Sequence, residues 1–154
     1  MINIRKYKES DAPALWAVFY HTVHNVNIRD YSKAQVEAWA PDEFDPEIWQ
    51  RKMNCISPFV AEIENEIVGY ADLQENGLID HFFCHYKYQG KGIGRSLMEQ
   101  VITTGQLKGI SRLYSEVSIT ARPFYEKFGF KVVKEQIVAV HGQKLCSFVM
   151  ERFS

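Results

Sequence analysis

Cysteine is scarce: Cys55, Cys84 and Cys146 stand far apart in 154 residues. An odd number at such spacings matches neither a disulfide framework nor a zinc ribbon, so three reduced thiols and no metal are expected. Net charge is nearly absent too, with 18 basic and 19 acidic residues mixed along the chain for a formal total of -1. No basic stripe forms of the kind that neutralises phosphates, and nucleic acid is not an expected partner. No apolar run approaches the roughly 20 residues of a membrane span, and the opening Met-Ile-Asn-Ile-Arg-Lys-Tyr-Lys has no apolar signal core. A cytoplasmic chain without a membrane partner is expected. Repeats, linkers and low-complexity stretches are missing, which points to a single domain over residues 1–154, large enough to bury a core unaided.

What is present reads as globular: 46% hydrophobic against 24% charged residues, a balance that separates it from disordered chains. Ile2 and Ile4 alternate with polar neighbours as a first strand. Ser10 or Asp11 can cap a helix with Pro13 in its first turn and Leu15, Trp16, Val18, Phe19 and Val23 along it. Asn25 to Tyr31 reads as a loop, Ser32 caps a short helix from Lys33 to Ala40 that Pro41 stops, and Asp45-Pro46 opens a third helix. The pattern then changes to short apolar runs, Phe59 to Ile63, Ile67 to Leu73 and Leu78 to His85, separated by turns, which predict an antiparallel meander. Ile93, Leu97, Met98, Val101 and Ile102 recur at helical spacing within Ile93 to Leu107, before a strand from Arg112 to Val117. Strand, helix, strand implies a parallel crossover. Ala121 to Phe128 is a last helix ended by Gly129. Phe130 to Val140 and Lys144 to Met150 flank His141-Gly142 as a terminal hairpin.

The chemistry concentrates where the meander meets the long helix. Around Gly90, Gly92 and Gly94 the backbone can approach a ligand closely, and the following helix start offers unpaired N–H groups and a positive dipole end to an anion. Neither common phosphate motif fits: Gly90-Lys91-Gly92 lacks the spacing and hydroxyl of a P-loop, and Gly92-Ile93-Gly94-Arg95-Ser96-Leu97 lacks the third glycine of a Rossmann turn. His81, Cys84 and His85 do not form a metal set, since in a strand residue 84 points away from the face shared by 81 and 85.

The run Gln89-Gly90-Lys91-Gly92-Ile93-Gly94 resembles the cofactor loop of the GNAT acetyltransferase superfamily: Gln or Arg, two residues, Gly, one residue, then Gly or Ala. Downstream, the segment from Ser118 to Phe130 is similar to the family's Ala-x-x-x-Tyr-x-x-x-Gly-Phe stretch. The resemblance implies an α/β (α+β) fold with a mixed central sheet of about seven strands flanked by helices, in the order β-α-α-α-β-β-β-α-β-α-β-β. It implies acetyl-CoA as cosubstrate and a primary amine of a small molecule or peptide as acceptor, with a homodimer among the possible assemblies.

On the same resemblance, Phe82, Phe83 and Cys84 lie where one strand splays from its neighbour and offer backbone groups to the pantetheine and thioester. Gly90 through Arg95, including Ile93, supply N–H groups to the pyrophosphate, with Lys91 and Arg95 as phosphate partners. Ser118 stands where relatives often carry a cofactor-contacting Asn. Tyr125 matches the tyrosine that protonates the departing thiolate; a phenol titrating near 10 stays protonated beside a thiol near 8.5. Asp80, His81 and Glu116 are all candidates for the general base. Attack would pass through a tetrahedral oxyanion, which strand N–H groups near Phe83 and Cys84 would stabilise. Two rival readings stand beside direct transfer: Cys84 as a nucleophile that takes the acyl group, and a non-catalytic acyl-CoA-binding module. His21, His24, Tyr20 and Tyr31 lie in the region that shapes the acceptor pocket in such proteins.

Overall fold

The computed structural model describes residues 1–154. The elements are β1 (Ile2–Lys6), α1 (Ala12–Asn25), α2 (Lys33–Trp39), α3 (Pro46–Ile56), β2 (Phe59–Ile63), β3 (Glu66–Ala71), β4 (Phe82–Cys84), α4 (Ile93–Leu107), β5 (Arg112–Ser118), α5 (Arg122–Lys127), β6 (Lys131–Val140) and β7 (Gln143–Phe153). This is the expected order of elements, and the helix starts follow local chemistry. Ser32 caps α2 by accepting the N–H of Gln35 at 3.1 Å, while the Gln35 side chain accepts the N–H of Ser32 at 2.8 Å. Such a box contributes about 1 kcal/mol. Asp45 accepts the N–H of Glu47 at 2.9 Å to start α3. Asp11 does not cap α1 as expected: its carboxylate turns back to accept the Lys8 N–H at 2.8 Å and binds Arg5 at 2.8 and 2.9 Å. The expected loop from Asn25 to Tyr31 contains one 3₁₀ turn, Asn27–Arg29.

Seven strands divide into two antiparallel sheets, β1-β2-β3-β4 and β5-β7-β6. The expected parallel crossover from β4 through α4 to β5 is reduced to one bridge, Leu78 with Tyr114, where Ile79 N–H meets Tyr114 O at 2.8 Å. Past that bridge β4 and β5 diverge. The third strand of the meander is correspondingly shorter than Leu78 to His85. Asp72 accounts for the loss, because its Oδ1 accepts the N–H groups of both Asp80 and His81, at 2.8 and 2.7 Å, in place of ladder bonds.

The first sheet buries both faces. Val60 and Tyr70, paired across β2 and β3, sit beneath Leu15, Val18 and Phe19 of α1 with Trp49 and Met53 of α3. Ala61, Val68 and Ala71 on the other face pack under Ile93, Leu97, Met98 and Val101 of α4. Gly69 lets α4 lie this close: a Cβ there would stand 3.0 Å from Ile93 Cγ2 and 3.1 Å from Phe83 O. The helical spacing of apolar residues in α4 and the strand alternation of β3 thus meet at one interface, which fixes the start of α4 at the mouth of the gap between the sheets.

Candidate active site

The divergence of β4 from β5 opens a cleft of about 1230 Å³ that runs from the start of α4 to the aromatic helices of the N-terminal third. Backbone geometry decides what it offers. Asp72 N–H to His81 O and His85 N–H to Val68 O are antiparallel ladder bonds, and Phe83 pairs with Tyr70 between them. With a period of two, the N–H of Phe83 faces β3, and those of Phe82 and Cys84 face the gap. The expected donor near Phe83 is therefore corrected to Phe82, with Cys84 retained. Thr22 Oγ1 and Gln89 Nε2 donate to the carbonyl of Cys84 at 2.7 and 2.9 Å, pinning that peptide. Gln89 thus serves the loop through its side chain.

At the start of α4 the first backbone bond within the helix is Ser96 N–H to Gly92 O at 3.0 Å, so the N–H groups of Ile93, Gly94 and Arg95 precede it and are free for an anion. Gly90 and Gly92 have φ of 77° and 85°, a region that favours glycine, and a Cβ on Gly90 would meet nothing within 4 Å. The open cradle and the free donors fit a pyrophosphate. Gly94 is different. A Cβ there would stand 3.0 Å from the ring of Phe124, so this glycine serves the packing of α5 on α4.

The cations sort unevenly. Arg95 lines the cleft, 3.9 Å from Glu99 and over the ring of Phe128. Lys91, expected at a phosphate, lies outside the cleft lining with its ammonium over the ring of Tyr88. Lys127, at the end of α5, lines the cleft instead. It carried no motif signal in the sequence. Ser118 lines the cleft too, but its Oγ accepts the N–H of Ala121 at 3.0 Å and the Nδ2 of Asn27 at 3.3 Å, a local structural task.

Tyr125 is buried on α5, edge-on to Phe82 and Phe130, and its hydroxyl lies 3.4 Å from Ser115 Oγ. Ser115 already donates to Ile79 O at 2.7 Å, so Tyr125 is the donor of that long, weak bond and its proton is loosely held. Burial raises its pKa above the usual phenol value, which keeps it protonated. Burial also pushes the Cys84 thiol up to about 12, so it is a poor nucleophile at neutral pH.

The three base candidates are placed differently. Asp80 is exposed and ion-paired with Lys52. His81 is half-buried among Phe19, Trp49 and Phe83, and burial pushes its pKa down to about 4. Glu116 is exposed at the cleft, with one carboxylate oxygen accepting Gln136 Nε2 at 2.9 Å. Of the expected pocket residues, Tyr31 lines the cleft and is fixed by donating to Cys146 O at 2.6 Å and accepting the Ile119 N–H at 2.9 Å. Tyr20, His21 and His24 lie outside its lining, the first stacked on the third. Arg29 also lines the cleft, and Thr120 Oγ1 is buried there without a partner.

A splayed strand pair, a free helix start and a buried phenol define a domain for handling an acyl thioester with a phosphate-bearing carrier. The chain matches the Acetyltransferase (GNAT) domain over residues 27–151. It is 34% identical over 149 residues to the uncharacterized N-acetyltransferase YafP of Escherichia coli (strain K12), covering 97% of this chain and 94% of that protein. A GCN5-related N-acetyltransferase from Rhodopseudomonas palustris superposes with a TM-score of 0.94 at 25% identity, over 99% of this chain and 95% of that one. The putative acetyltransferase YncA of Salmonella typhimurium, solved with acetyl-CoA, shares the fold with a TM-score of 0.73 at 18% identity, over 99% and 94% of the two chains. The chain belongs to the GNAT acetyltransferase family. It is an acyltransferase with acetyl-CoA as its cosubstrate. No helix is long and apolar enough to cross a membrane.

Proposed function

We propose that this enzyme moves the acetyl group of acetyl-CoA to a primary amine of a small molecule or peptide, directly and without a covalent enzyme intermediate. The observation that carries the reading is the meeting, at one gap, of two outward backbone N–H groups, Phe82 and Cys84, with the loosely bonded hydroxyl of Tyr125. Acetyl-CoA supplies an activated acyl thioester. Phe82 and Cys84 direct preorganised N–H groups to the oxygen on which charge develops, and such donors are each worth roughly 3 to 4 kcal/mol of barrier. Tyr125 holds a proton for the departing sulfur. Gly90 and Gly92 with the first turn of α4 hold the pyrophosphate, and Arg95 and Lys127 neutralise phosphate charge.

Glu116 receives the acceptor's proton through water. Asp80 is engaged by Lys52, and a histidine titrating near 4 is a weak base, which leaves Glu116 as the cleft carboxylate that no cation neutralises. The high thiol pKa supports direct transfer over an acyl-Cys84.

The test is to mix the purified protein with acetyl-CoA and a panel of primary amines and to follow free thiol. Amine-dependent thiol release is the expected outcome. Tight CoA binding with no release from any amine would instead identify a non-catalytic acyl-CoA-binding module.

A further inference from the structure

His81 lines the cleft, and the mechanism above leaves it without a task. Its surroundings constrain it tightly. The ring lies among Phe19, Trp49 and Phe83, with centroids 5.7 to 5.9 Å away. The indole N–H of Trp49 is spent on Ala12 O at 2.8 Å. The carboxylate of Asp72 takes the backbone N–H of His81 and the side chain of Gln74, and Asp80 is paired with Lys52. One polar side-chain atom reaches the imidazole: the hydroxyl of Tyr70, 3.0 Å from Nδ1.

Tyr70 is fully buried on β3, and His81 is its hydroxyl's one hydrogen-bond partner. A buried O–H left without an acceptor loses its bond to water and gains nothing in exchange. If Nδ1 carried the ring proton and donated to the phenol oxygen, the phenol proton would be stranded in that way. If Nδ1 is bare, the O–H donates to it and both the phenol proton and Nδ1 are satisfied. A neutral imidazole with a bare Nδ1 carries its proton on Nε2. That second nitrogen has no protein partner and is not a sealed buried atom, since Thr120 Oγ1 is the one buried side-chain polar atom left unpartnered; His81 lines the cleft.

We infer that Tyr70 is a positioning residue which fixes His81 as the Nε2–H tautomer, so that His81 meets the acceptor as a neutral hydrogen-bond donor and not as a base. The inference rests on the acyl-transfer reading for the identity of the acceptor but not for the tautomer. Its chemical consequence is selective. An N–H pointed at the amine nitrogen would occupy the lone pair that must attack, so productive acceptors carry a second lone-pair group, a hydroxyl, carbonyl or carboxylate oxygen, near the amine. The low pKa of the ring agrees with this, because a neutral donor is kept over the whole physiological range.

The experiment reads the ring nitrogens directly. In ¹⁵N-labelled apo protein the His81 imidazole is assigned as the signal set missing from His81→Gln. A protonated Nε2 and a bare Nδ1 at neutral pH are expected; a proton on Nδ1 overturns the inference. Tyr70→Phe removes one hydroxyl and should move the Nδ1 resonance, whereas an unmoved resonance means the phenol does not bond there. In a second arm, acetyl transfer is measured with whichever panel amine is turned over. His81→Gln, which places an amide N–H near the same point, should retain most of the wild-type rate, and His81→Leu should raise the acceptor KM about tenfold or more, as loss of a buried hydrogen bond of roughly 1.4 kcal/mol requires. Equal losses in both variants would overturn the donor role of His81. Should no amine be turned over, the acyl-transfer reading fails while the tautomer result stands.

Discussion

The two ends of the cleft are built from different materials. At the α4 end the contacts are backbone: N–H groups of a helix start and a splayed strand, made reachable by glycines at φ of 77° and 85°. At the α1 end they are side chains gathered from distant segments, with Phe19, Tyr31, Trp39, His81 and Leu145 converging from helices and both sheets. Backbone donors suit a ligand that is always the same, since the N–H groups of a helix start do not depend on the side chains around them. Side chains suit a ligand that differs among relatives, because they can change without disturbing the fold. On the proposed function, local geometry holds the constant cosubstrate and tertiary packing holds the acceptor.

The sharpest way to break that contrast is at the point between the two ends. Tyr125→Phe keeps the ring and deletes the proton donor, so acetyl transfer in a single turnover should fall roughly a hundredfold to ten-thousandfold with acetyl-CoA affinity nearly unchanged. Equal rates would return Tyr125 to the role of a core aromatic, and a matching loss of affinity would make it part of the cofactor grip.

Next in size are the glycines, which should divide by task. Gly92→Val forces a branched side chain into the left-handed region beside the cradle, so CoA affinity by calorimetry should drop about tenfold or more, with the domain still folded. Gly94→Val collides with Phe124 and should lower thermal stability by about 1 to 3 kcal/mol. If Gly94→Val left stability untouched, or Gly92→Val left CoA affinity untouched, the division would be wrong.

The α1 end of the cleft carries a pH signature. Burial lowers the folded pKa of His81 from 6.5 to about 4, so the unfolded chain binds the extra proton between those values and stability is lost as pH falls through that window. Burial raises Asp72 from 3.8 to about 6, so the folded chain binds the extra proton, and its contribution is lost as pH rises through about 6. The two slopes oppose each other between about pH 4 and 6, each at most about 3 kcal/mol at 1.36 kcal/mol per pH unit. Wild-type stability should be nearly flat there. His81→Gln should turn the curve upward toward acid and Asp72→Asn downward, as urea unfolding across pH would show; parallel curves for all three proteins would remove the premise of a buried neutral histidine.

The smallest expected effects concern the cations. Lys127→Ala should weaken CoA severalfold and lose part of that difference in high salt, as for a partly exposed charge on a phosphate. Lys91→Ala should change calorimetric affinity less than twofold, since that ammonium lies away from the cleft. A reversed order would mean that the turn repositions Lys91 when the cofactor binds.

Gly90 and Gly92 ahead of a helix were legible as an anion-binding turn, because a helix start and its glycines are consecutive in the chain, whereas Tyr125 was singled out only by the resemblance of its segment to the family's. The period of apolar residues likewise determined α4 from Ile93 to Leu107 and β2 from Phe59 to Ile63. Three things were decided only by the tertiary structure. Asp72 shortened the third strand by taking two backbone N–H groups eight and nine residues ahead. The ladder register turned Phe82 and Cys84, and not Phe83, toward the gap. Tyr70 reached His81 eleven residues away and fixed which of its nitrogens can meet a substrate. Each depends on a hydrogen bond whose partner is chosen by folding, and a partner brought close by folding leaves no periodicity or spacing in the chain.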